Sequence, residues 1–109
     1  MLKEAHKAYE QAIAIEPDFA AAWQGLGGCN EKQRNLAEAE KCYRKAASLN
    51  PKSYDAVLCI GDILRQQGKF ADAKKFFLKA KSMPDSAKNP GEVDKFLKLN
   101  DLRKKEVAN

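Results

Sequence analysis

The chain has 109 residues, of which 44% are hydrophobic and 32% are charged, with only 4 proline and 6 glycine residues. This composition excludes an intrinsically disordered chain, and no segment approaches the roughly 18 consecutive apolar residues of a membrane-spanning helix. The formal net charge of +5 permits attraction to nucleic acid, anionic lipid or acidic peptides, but it selects none of them.

The cysteine and histidine content argues against a metal site. Cys29, Cys42 and Cys59 form no CxxC pair, and His6 is the only histidine, so we expect neither a metal nor a cofactor. Unpaired cysteines are typical of a reducing compartment. Residues 1–16 form an amphipathic pattern and not the apolar core of a secretory signal. We therefore expect a cytoplasmic protein that is not inserted in a membrane, with a nuclear location still open.

The first half of the chain predicts three helices. Apolar residues recur at helical spacing over Leu2–Ile15, and Pro17 follows the end of that helix. The second helix covers about residues 20–34, with Asp18 as its predicted N-cap. The third covers residues 36–49, and Asn35 with Glu38 three residues later predicts a capping box.

The second half predicts three more helices. Two of them cover about residues 54–67 and 70–83, and Gly68 between them suits a helix terminator. Residues 86–91 have the composition of a loop. Asn89, Pro90 and Glu92 then predict an N-cap, a first helical proline and an N3 glutamate. The last helix should reach about Glu106, with an apolar face of Val93, Phe96, Leu97, Leu99 and Leu102.

The apolar pattern repeats at one fixed interval of 34 residues. The aligned positions are Ala5, Ala39 and Ala73; Tyr9, Tyr43 and Phe77; Ala12, Ala46 and Ala80; Pro17 and Pro51; Leu26 and Ile60; and Gly27 and Gly61. The small residues at Gly27, Gly61, Ala39 and Ala73 predict places where two helices approach closely, because larger side chains beside them can then interlock.

With Trp23, these positions resemble the tetratricopeptide repeat. The resemblance implies an all-α fold of antiparallel helix-turn-helix repeats, stacked as a right-handed α-solenoid of about six helices with a C-terminal capping helix. Residues 1–109 would be one domain: 1–19 the second half of a repeat, 20–53 and 54–87 full repeats, and 88–109 the capping helix. Asn30 and Arg34 depart from the family pattern, which usually has Tyr and Gly there.

The predicted array begins with half a repeat. We therefore expect the chain to be a segment of a longer tetratricopeptide protein, in which the first helix has an additional neighbour. Self-association through Ala5, Ala8, Tyr9 and Ala12 is the corresponding expectation for this chain by itself.

The resemblance also implies a binding surface. In the family, the first helix of each repeat lines a concave groove that holds peptides. The corresponding positions here are Ala21, Gln24, Gly28, Glu31 and Lys32, then Asp55, Leu58, Cys59, Asp62 and Arg65, and we expect the small Ala21, Gly25 and Gly28 to leave room for a ligand. We predict partner contacts at Gln24, Gly28, Glu31, Asp55, Leu58, Asp62 and Arg65. Some family members bind acidic chaperone C-termini with Lys, Arg and Asn side chains, but the matching positions here hold Gln24, Gly25, Gly28, Asp55, Cys59 and Asp62, so that clamp is absent.

Three functions remain open. The first is a scaffold or adaptor that binds a peptide or protein partner as part of a larger assembly. The second is a non-catalytic recruiting or regulatory arm of a multidomain enzyme; no catalytic residue set or phosphate-binding loop is present in the sequence, so we expect no enzyme activity in this chain. The third and weakest is nucleic-acid binding through a basic convex face, because Phe76, Phe77 and Phe96 occupy packing positions.

Overall fold

The computed structural model describes residues 1–108, and all regular structure in that range is helical. The helices are α1 (Leu2–Ile15), α2 (Ala20–Lys32), α3 (Leu36–Leu49), α4 (Tyr54–Gln66), α5 (Phe70–Ser82), a short 3-10 helix (Pro84–Lys88) and α6 (Glu92–Ala108). Each α-helix packs mainly against the next one in the chain, within a molecule of 44 × 32 × 21 Å. Within this described range, no helix is both long and apolar enough to cross a lipid bilayer.

The predicted all-α helical repeat is confirmed, and the predicted helix bounds agree with the structure to within two residues. The first and third helices have the predicted bounds, whereas α2, α4 and α5 end slightly earlier. The predicted loop over residues 86–91 is partly occupied by the 3-10 helix. Residue 109, the last of the predicted domain, lies outside the described range.

Two glycines allow the paired helices to approach closely. Gly27 of α2 faces the ring of Tyr43 on α3, and Gly61 of α4 faces the ring of Phe77 on α5. A methyl carbon at Gly27 would lie 2.6 Å from Cε1 of Tyr43, and one at Gly61 would lie 2.7 Å from Cδ1 of Phe77. Because carbon atoms prefer separations of about 3.5–4.0 Å, a larger residue would push each ring away.

The best-buried part of the core lies around α4 and α5. Its largest side chains, Phe77, Ile60, Ile63 and Leu64, are each at most 2% exposed. Burial of a side chain of this size stabilises the fold by about 1.5–3 kcal/mol. By contrast, α1 contains no buried residue. The apolar core is therefore concentrated in the second half of the chain.

The first helix packs on α2 through Tyr9, whose ring fills the space beside Gly25. This contact corrects one expectation, because Gly25 leaves no room for a ligand. The Tyr9 ring is partly buried by the same contact. The side chain of Ala8 is exposed, while Ala5 and Ala12 are partly buried. Self-association through α1 stays a prediction.

Helices α2 and α4 end in the same left-handed turn. The amide of Asn35 donates to the carbonyl of Asn30 at 2.9 Å, and the amide of Arg34 donates to the carbonyl of Glu31 at 3.0 Å. These two bonds define a Schellman turn, whose central residue needs a positive φ. Arg34 has φ +65°, and Gly68 has φ +82° at the equivalent place after α4. The departure of Arg34 from the family pattern is therefore a point of backbone strain.

The predicted capping box of Asn35 and Glu38 is wrong. The side chain of Asn35 makes no capping hydrogen bond and instead donates from Nδ2 to Oε1 of Gln33 at 3.5 Å. In a capping box, Glu38 would bind the backbone amide of Asn35. That amide already donates to Asn30 in the Schellman turn. The backbone N–H of Asn35 is thus already used at the end of α2 and is not free for a capping box at the start of α3.

The predicted cap by Asp18 is also wrong. The amide of Phe19 donates to the carbonyl of Glu16 at 3.1 Å, and this turn places Phe19 at the N-cap of α2. Ser53 occupies the same place in the next repeat and does cap its helix, because its Oγ accepts from the amide of Ala56 at 3.1 Å. The repeat therefore conserves the position of the cap but not its chemistry.

The predicted start of α6 is wrong by two residues. Gly91 has φ +87°, outside the helical region, so α6 begins at Glu92 and Asn89 with Pro90 lies before it. The carboxylate of Glu92 does not complete a capping box. It accepts a hydrogen bond from the hydroxyl of Tyr54 at 2.8 Å, which ties the start of α6 to the start of α4.

Along its length, α6 covers the end of the core. Val93 is 5% exposed, and the ring of Phe96 stacks on Phe77 with 5.6 Å between centroids. Asn100 is 1% exposed, and its Nδ2 donates to the carbonyl of Phe70 at 3.0 Å. These contacts give α6 an inner face that packs like a helix of the repeat.

We predict opposite effects from alanine at the adjacent residues Gly27 and Gly28. Gly27→Ala should lower the free energy of unfolding by about 1–2 kcal/mol, because the methyl group overpacks the buried Tyr43 ring. Gly28→Ala should raise it by up to about 1 kcal/mol through helix propensity. An added methyl there meets only the Tyr43 hydroxyl, at 3.8 Å. Urea unfolding followed by circular dichroism measures both, and equal effects would contradict the close-approach model.

We also predict that Arg34→Gly stabilises the protein by about 0.5–1 kcal/mol. Glycine adopts the left-handed backbone conformation without the strain of about 1–2 kcal/mol that a larger residue has there. Part of this gain is lost, because glycine also gives the unfolded chain more conformational entropy. The reverse change at the equivalent site, Gly68→Ala, should destabilise by about 1 kcal/mol. Thermal and urea unfolding test the pair; a less stable Arg34→Gly variant would show that the Arg34 side chain matters more than its backbone.

Candidate functional site

Six of the seven predicted site residues lie on one face shared by α2 and α4, which we call the α2–α4 face. It consists of Gln24, Gly28 and Glu31 on α2 and of Asp55, Asp62 and Arg65 on α4. Residues three, four and seven apart lie on one side of a helix. Hydrogen bonds from Gln24 to Cys59 and from Gln66 to Glu31 join the two helices across this face.

The carboxylate of Glu31 is held by two neutral donors. Its Oε1 accepts from the hydroxyl of Tyr43 at 2.7 Å, and its Oε2 accepts from Nε2 of Gln66 at 2.7 Å. Burial, followed by the hydrogen bond to Glu31, raises the pKa of Tyr43 well above its usual range. The phenol therefore stays a donor at neutral pH, and the Glu31 carboxylate is fixed in place without a cation.

Asp62 is positioned by the opposite kind of partner. Its Oδ1 accepts from Nε and Nη2 of Arg65, at 3.0 and 2.7 Å. Its Oδ2 accepts from Nε2 of Gln66 at 3.1 Å. Gln66 thus bridges the carboxylates of Glu31 and Asp62. The charge of Asp62 is compensated within α4, because Arg65 lies one turn away on the same side.

At the other end of the face, Gln24 lies beside a small cavity. Its Nε2 donates to Sγ of Cys59 at 3.2 Å, while its Oε1 is buried without a hydrogen-bond partner. The cavity has a volume of about 200 Å³. Its walls are formed by Ala20, Ala21, Gln24, Ala46, Asn50, Ser53 and Asp55. The space is mostly lined by short side chains and has room for one long side chain of a ligand.

Asp55 lies between this cavity and a larger one. The second cavity, of about 450 Å³, lies between the α3–α4 turn and the 3-10 helix, and it shares Asn50, Ser53 and Asp55 with the first. Its other lining residues are Lys52, Tyr54, Asp85, Lys88 and Asn89. Sequence reasoning missed this cavity, because the 3-10 helix that forms one side of it interrupts the repeat.

Burial separates Leu58 from the other predicted site residues. Leu58 is 8% exposed and belongs to the buried core cluster that also contains Val93 of α6. Our expectation that it faces a ligand is therefore corrected, and we leave it out of the proposed site. Gly28 is different, because the direction in which its side chain would point is open.

Gln66 is the residue of this face that sequence reasoning missed. It follows Lys32 by one repeat interval, and Lys32 was among the expected groove positions, so the period could have identified it. The side-chain amide of Gln66 forms hydrogen bonds with three residues. Its Nε2 donates to Glu31 and Asp62, and its Oε1 accepts from Nη1 of Arg34 at 3.1 Å.

The thiol of Cys59 reports the electrostatic character of this face. Burial raises its pKa to about 11, with added contributions from the carboxylates of Glu31, Asp55 and Asp62, although the hydrogen bond from Gln24 lowers it. The thiol is neutral at physiological pH and unreactive as a nucleophile. Among the described residues, no group of three His, Cys, Asp or Glu side chains is arranged to hold a metal ion.

Comparison with known proteins identifies the family. The tetratricopeptide repeat model matches residues 2–53 and 31–90, which together make up most of the chain. The chain therefore belongs to the tetratricopeptide repeat family, as its 34-residue period predicts. A search of curated protein sequences gave no match.

Solved structures share this fold at 20% sequence identity. The Yersinia enterocolitica type III secretion chaperone SycD, in complex with a peptide of the translocator YopD, has a TM-score of 0.82 over 94% of this chain and 82% of that one. The TPR2B domain of yeast Sti1, in a complex with pHsp70, has a TM-score of 0.84 over 94% of this chain and 84% of that one.

We predict that iodoacetamide alkylates Cys59 at a rate that still rises about tenfold per pH unit between about pH 7 and pH 10. A thiol with the ordinary pKa of 9.0 approaches its maximum rate within that range. Peptide mass spectrometry follows Cys59 separately from the buried Cys29 and Cys42. Asp55→Asn should move the profile to lower pH, and a rate that levels off by about pH 10 in the unmodified protein would contradict the assigned environment.

Proposed function

We propose that this protein is a protein-interaction module that binds a peptide segment of its partner along the α2–α4 face, as part of a larger assembly. Membership of the tetratricopeptide repeat family supports this proposal, since such repeats are typically non-catalytic interaction modules. Solved relatives in fold that hold a YopD peptide or form a complex with pHsp70 support it further.

The observation that carries the proposal is an open cavity beside polar side chains that are already held in place. The cavity of about 200 Å³ is lined by Asp55 and by Gln24, whose Nε2 donates to Cys59. Glu31 and Asp62 are already oriented by Gln66. Polar groups that are held in place before a ligand arrives lose less side-chain entropy on binding. An extended peptide backbone supplies donors and acceptors that pair with such groups.

The proposed module works by recruitment and without catalysis. The raised pKa of Cys59 agrees with this view, because a neutral thiol is a poor nucleophile. The unpaired cysteines favour a reducing compartment, for which we propose the cytoplasm. Whether the module stands in an adaptor or in the recruiting arm of a multidomain enzyme depends on the assembly that contains it, and both uses need the same peptide-binding face.

The proposal predicts that filling the face with a neutral side chain blocks binding. Random peptides of about fourteen residues, long enough to span the 44 Å dimension of the molecule when extended, are displayed on phage and selected on the unmodified protein. Gly28→Gln should weaken the selected peptides at least about tenfold, because its side chain enters the open face. The matched control is Ala37→Gln, at an exposed position of α3.

Both substitutions should keep the helical circular dichroism signal and a cooperative unfolding transition, since both sites are on helix surfaces. Gly28→Gln should not lower the unfolding midpoint, because glutamine has a higher helix propensity than glycine. Equal binding by the Gly28→Gln and Ala37→Gln variants would place the peptide site elsewhere on the molecule. Failure to select any peptide would count against a peptide-binding function altogether.

A further inference from the structure

The charge of the α2–α4 face differs in sign from that of the whole chain. The chain carries a formal net charge of +5. At the groove positions of α2 and α4 there are three carboxylates, from Glu31, Asp55 and Asp62, against the two cations of Lys32 and Arg65. The lysine-rich segments lie on α5 and α6 instead. The groove positions of α2 and α4 thus do not share the positive charge of the lysine-rich helices.

Among the described residues, two of these carboxylates form no ion pair. Asp62 is paired with Arg65, whereas Glu31 accepts hydrogen bonds from the neutral groups of Tyr43 and Gln66. In the described range of the chain, Asp55 takes part in neither a side-chain hydrogen bond nor an ion pair. The first turn of α4 favours the Asp55 charge through the helix dipole, but only by about 0.3–1 kcal/mol.

The one charged group among the residues that line the smaller cavity is a carboxylate. Asp55 lies at this cavity and forms no ion pair with the described residues. Ala20, Ala21 and Ala46 supply an apolar lining. A side chain with an aliphatic stem and a charged donor at its tip matches both features, because lysine and arginine bury their methylene groups while keeping the head in a polar environment. An acidic side chain would face the Asp55 carboxylate.

We propose that the segment bound on the α2–α4 face is basic, with a lysine or arginine side chain inserted into the cavity between α2 and α4. This inference rests on the proposed function and names the chemistry of its partner. The ammonium or guanidinium group donates to the carboxylate of Asp55, and its methylene stem contacts the three alanines. Charge-assisted hydrogen bonds of this kind are about twice as strong as neutral ones.

The experiment starts from the phage-displayed random peptides described above, selected on the unmodified protein. Sequences of the bound phage should be enriched in lysine and arginine relative to the unselected library. A strongly enriched peptide is then synthesised with a fluorescent label, together with versions in which each basic residue in turn is replaced by glutamine. Fluorescence anisotropy gives Kd for the unmodified protein and for two charge variants.

Asp55→Asn should weaken the selected peptide about tenfold, whereas Asp72→Asn should leave its Kd unchanged. Asp72 is the matched control, because it is an exposed carboxylate on α5 and its loss changes the net charge by the same amount. One of the glutamine-substituted peptides should bind the unmodified protein and the Asp55→Asn variant with the same Kd. The residue replaced in that peptide is then the one that contacts Asp55, because the peptide substitution and Asp55→Asn remove the same interaction.

The outcomes separate the two proposals. Enrichment of acidic peptides, or equal weakening by Asp55→Asn and Asp72→Asn, would overturn the basic-partner inference; the binding module itself survives if Gly28→Gln still blocks those peptides. If no selected peptide is sensitive to Gly28→Gln, both proposals are wrong. Basic peptides that bind with no discrimination between the two aspartate variants show only general attraction to an anionic surface and also overturn the inference.

Discussion

The contact between a glycine and an aromatic ring is the constraint on which the architecture depends. Gly27 with Tyr43, and Gly61 with Phe77, bring the two helices of each pair so close that one added carbon would lie 2.6–2.7 Å from a ring atom. Because the rings fill the space that a side chain would otherwise occupy, they are nearly fully buried. The Tyr43 ring also carries the hydroxyl that orients Glu31. Close packing and the geometry of the candidate site therefore depend on the same residue.

Most of the fold could be predicted from the sequence, because apolar and small residues repeat at 34-residue intervals and their packing is periodic. The helix caps could not be predicted in the same way. The side chain of Asn35 is of a type that caps helices. However, its backbone N–H already donates to the carbonyl of Asn30 at the end of the preceding helix. Phe19 occupies the N-cap position of α2 because a turn places it there, although its side chain has no atom that could accept a capping hydrogen bond. Local propensity fails where two neighbouring elements need the same backbone group.

The sequence gives less information about the site than about the fold. Periodicity placed Glu31, Asp62 and Arg65 on a common face, but it could not show that the amide of Gln66 links the two carboxylates, because that depends on side-chain rotamers. Leu58 shows the opposite error. Its position in the repeat suggests exposure, yet it belongs to the same buried cluster as Val93, and α6 follows the second repeat after an irregular segment. The neighbours of a repeat decide which of its positions stay open.

The spacing of α6 shows how far the repeat geometry continues. Val93, Phe96, Leu97 and Asn100 follow the same intervals as Val57, Ile60, Gly61 and Leu64 of α4, displaced by 36 rather than 34 residues. The inner face of α6 therefore follows the spacing of α4, but Leu97 stands at the place of Gly61 and Asn100 at that of Leu64. A helix packed against α6 as α5 packs against α4 would bring its aromatic ring onto the Leu97 side chain. Because cores have little space for extra carbon atoms, the close approach that defines the pairs α2–α3 and α4–α5 cannot recur at α6.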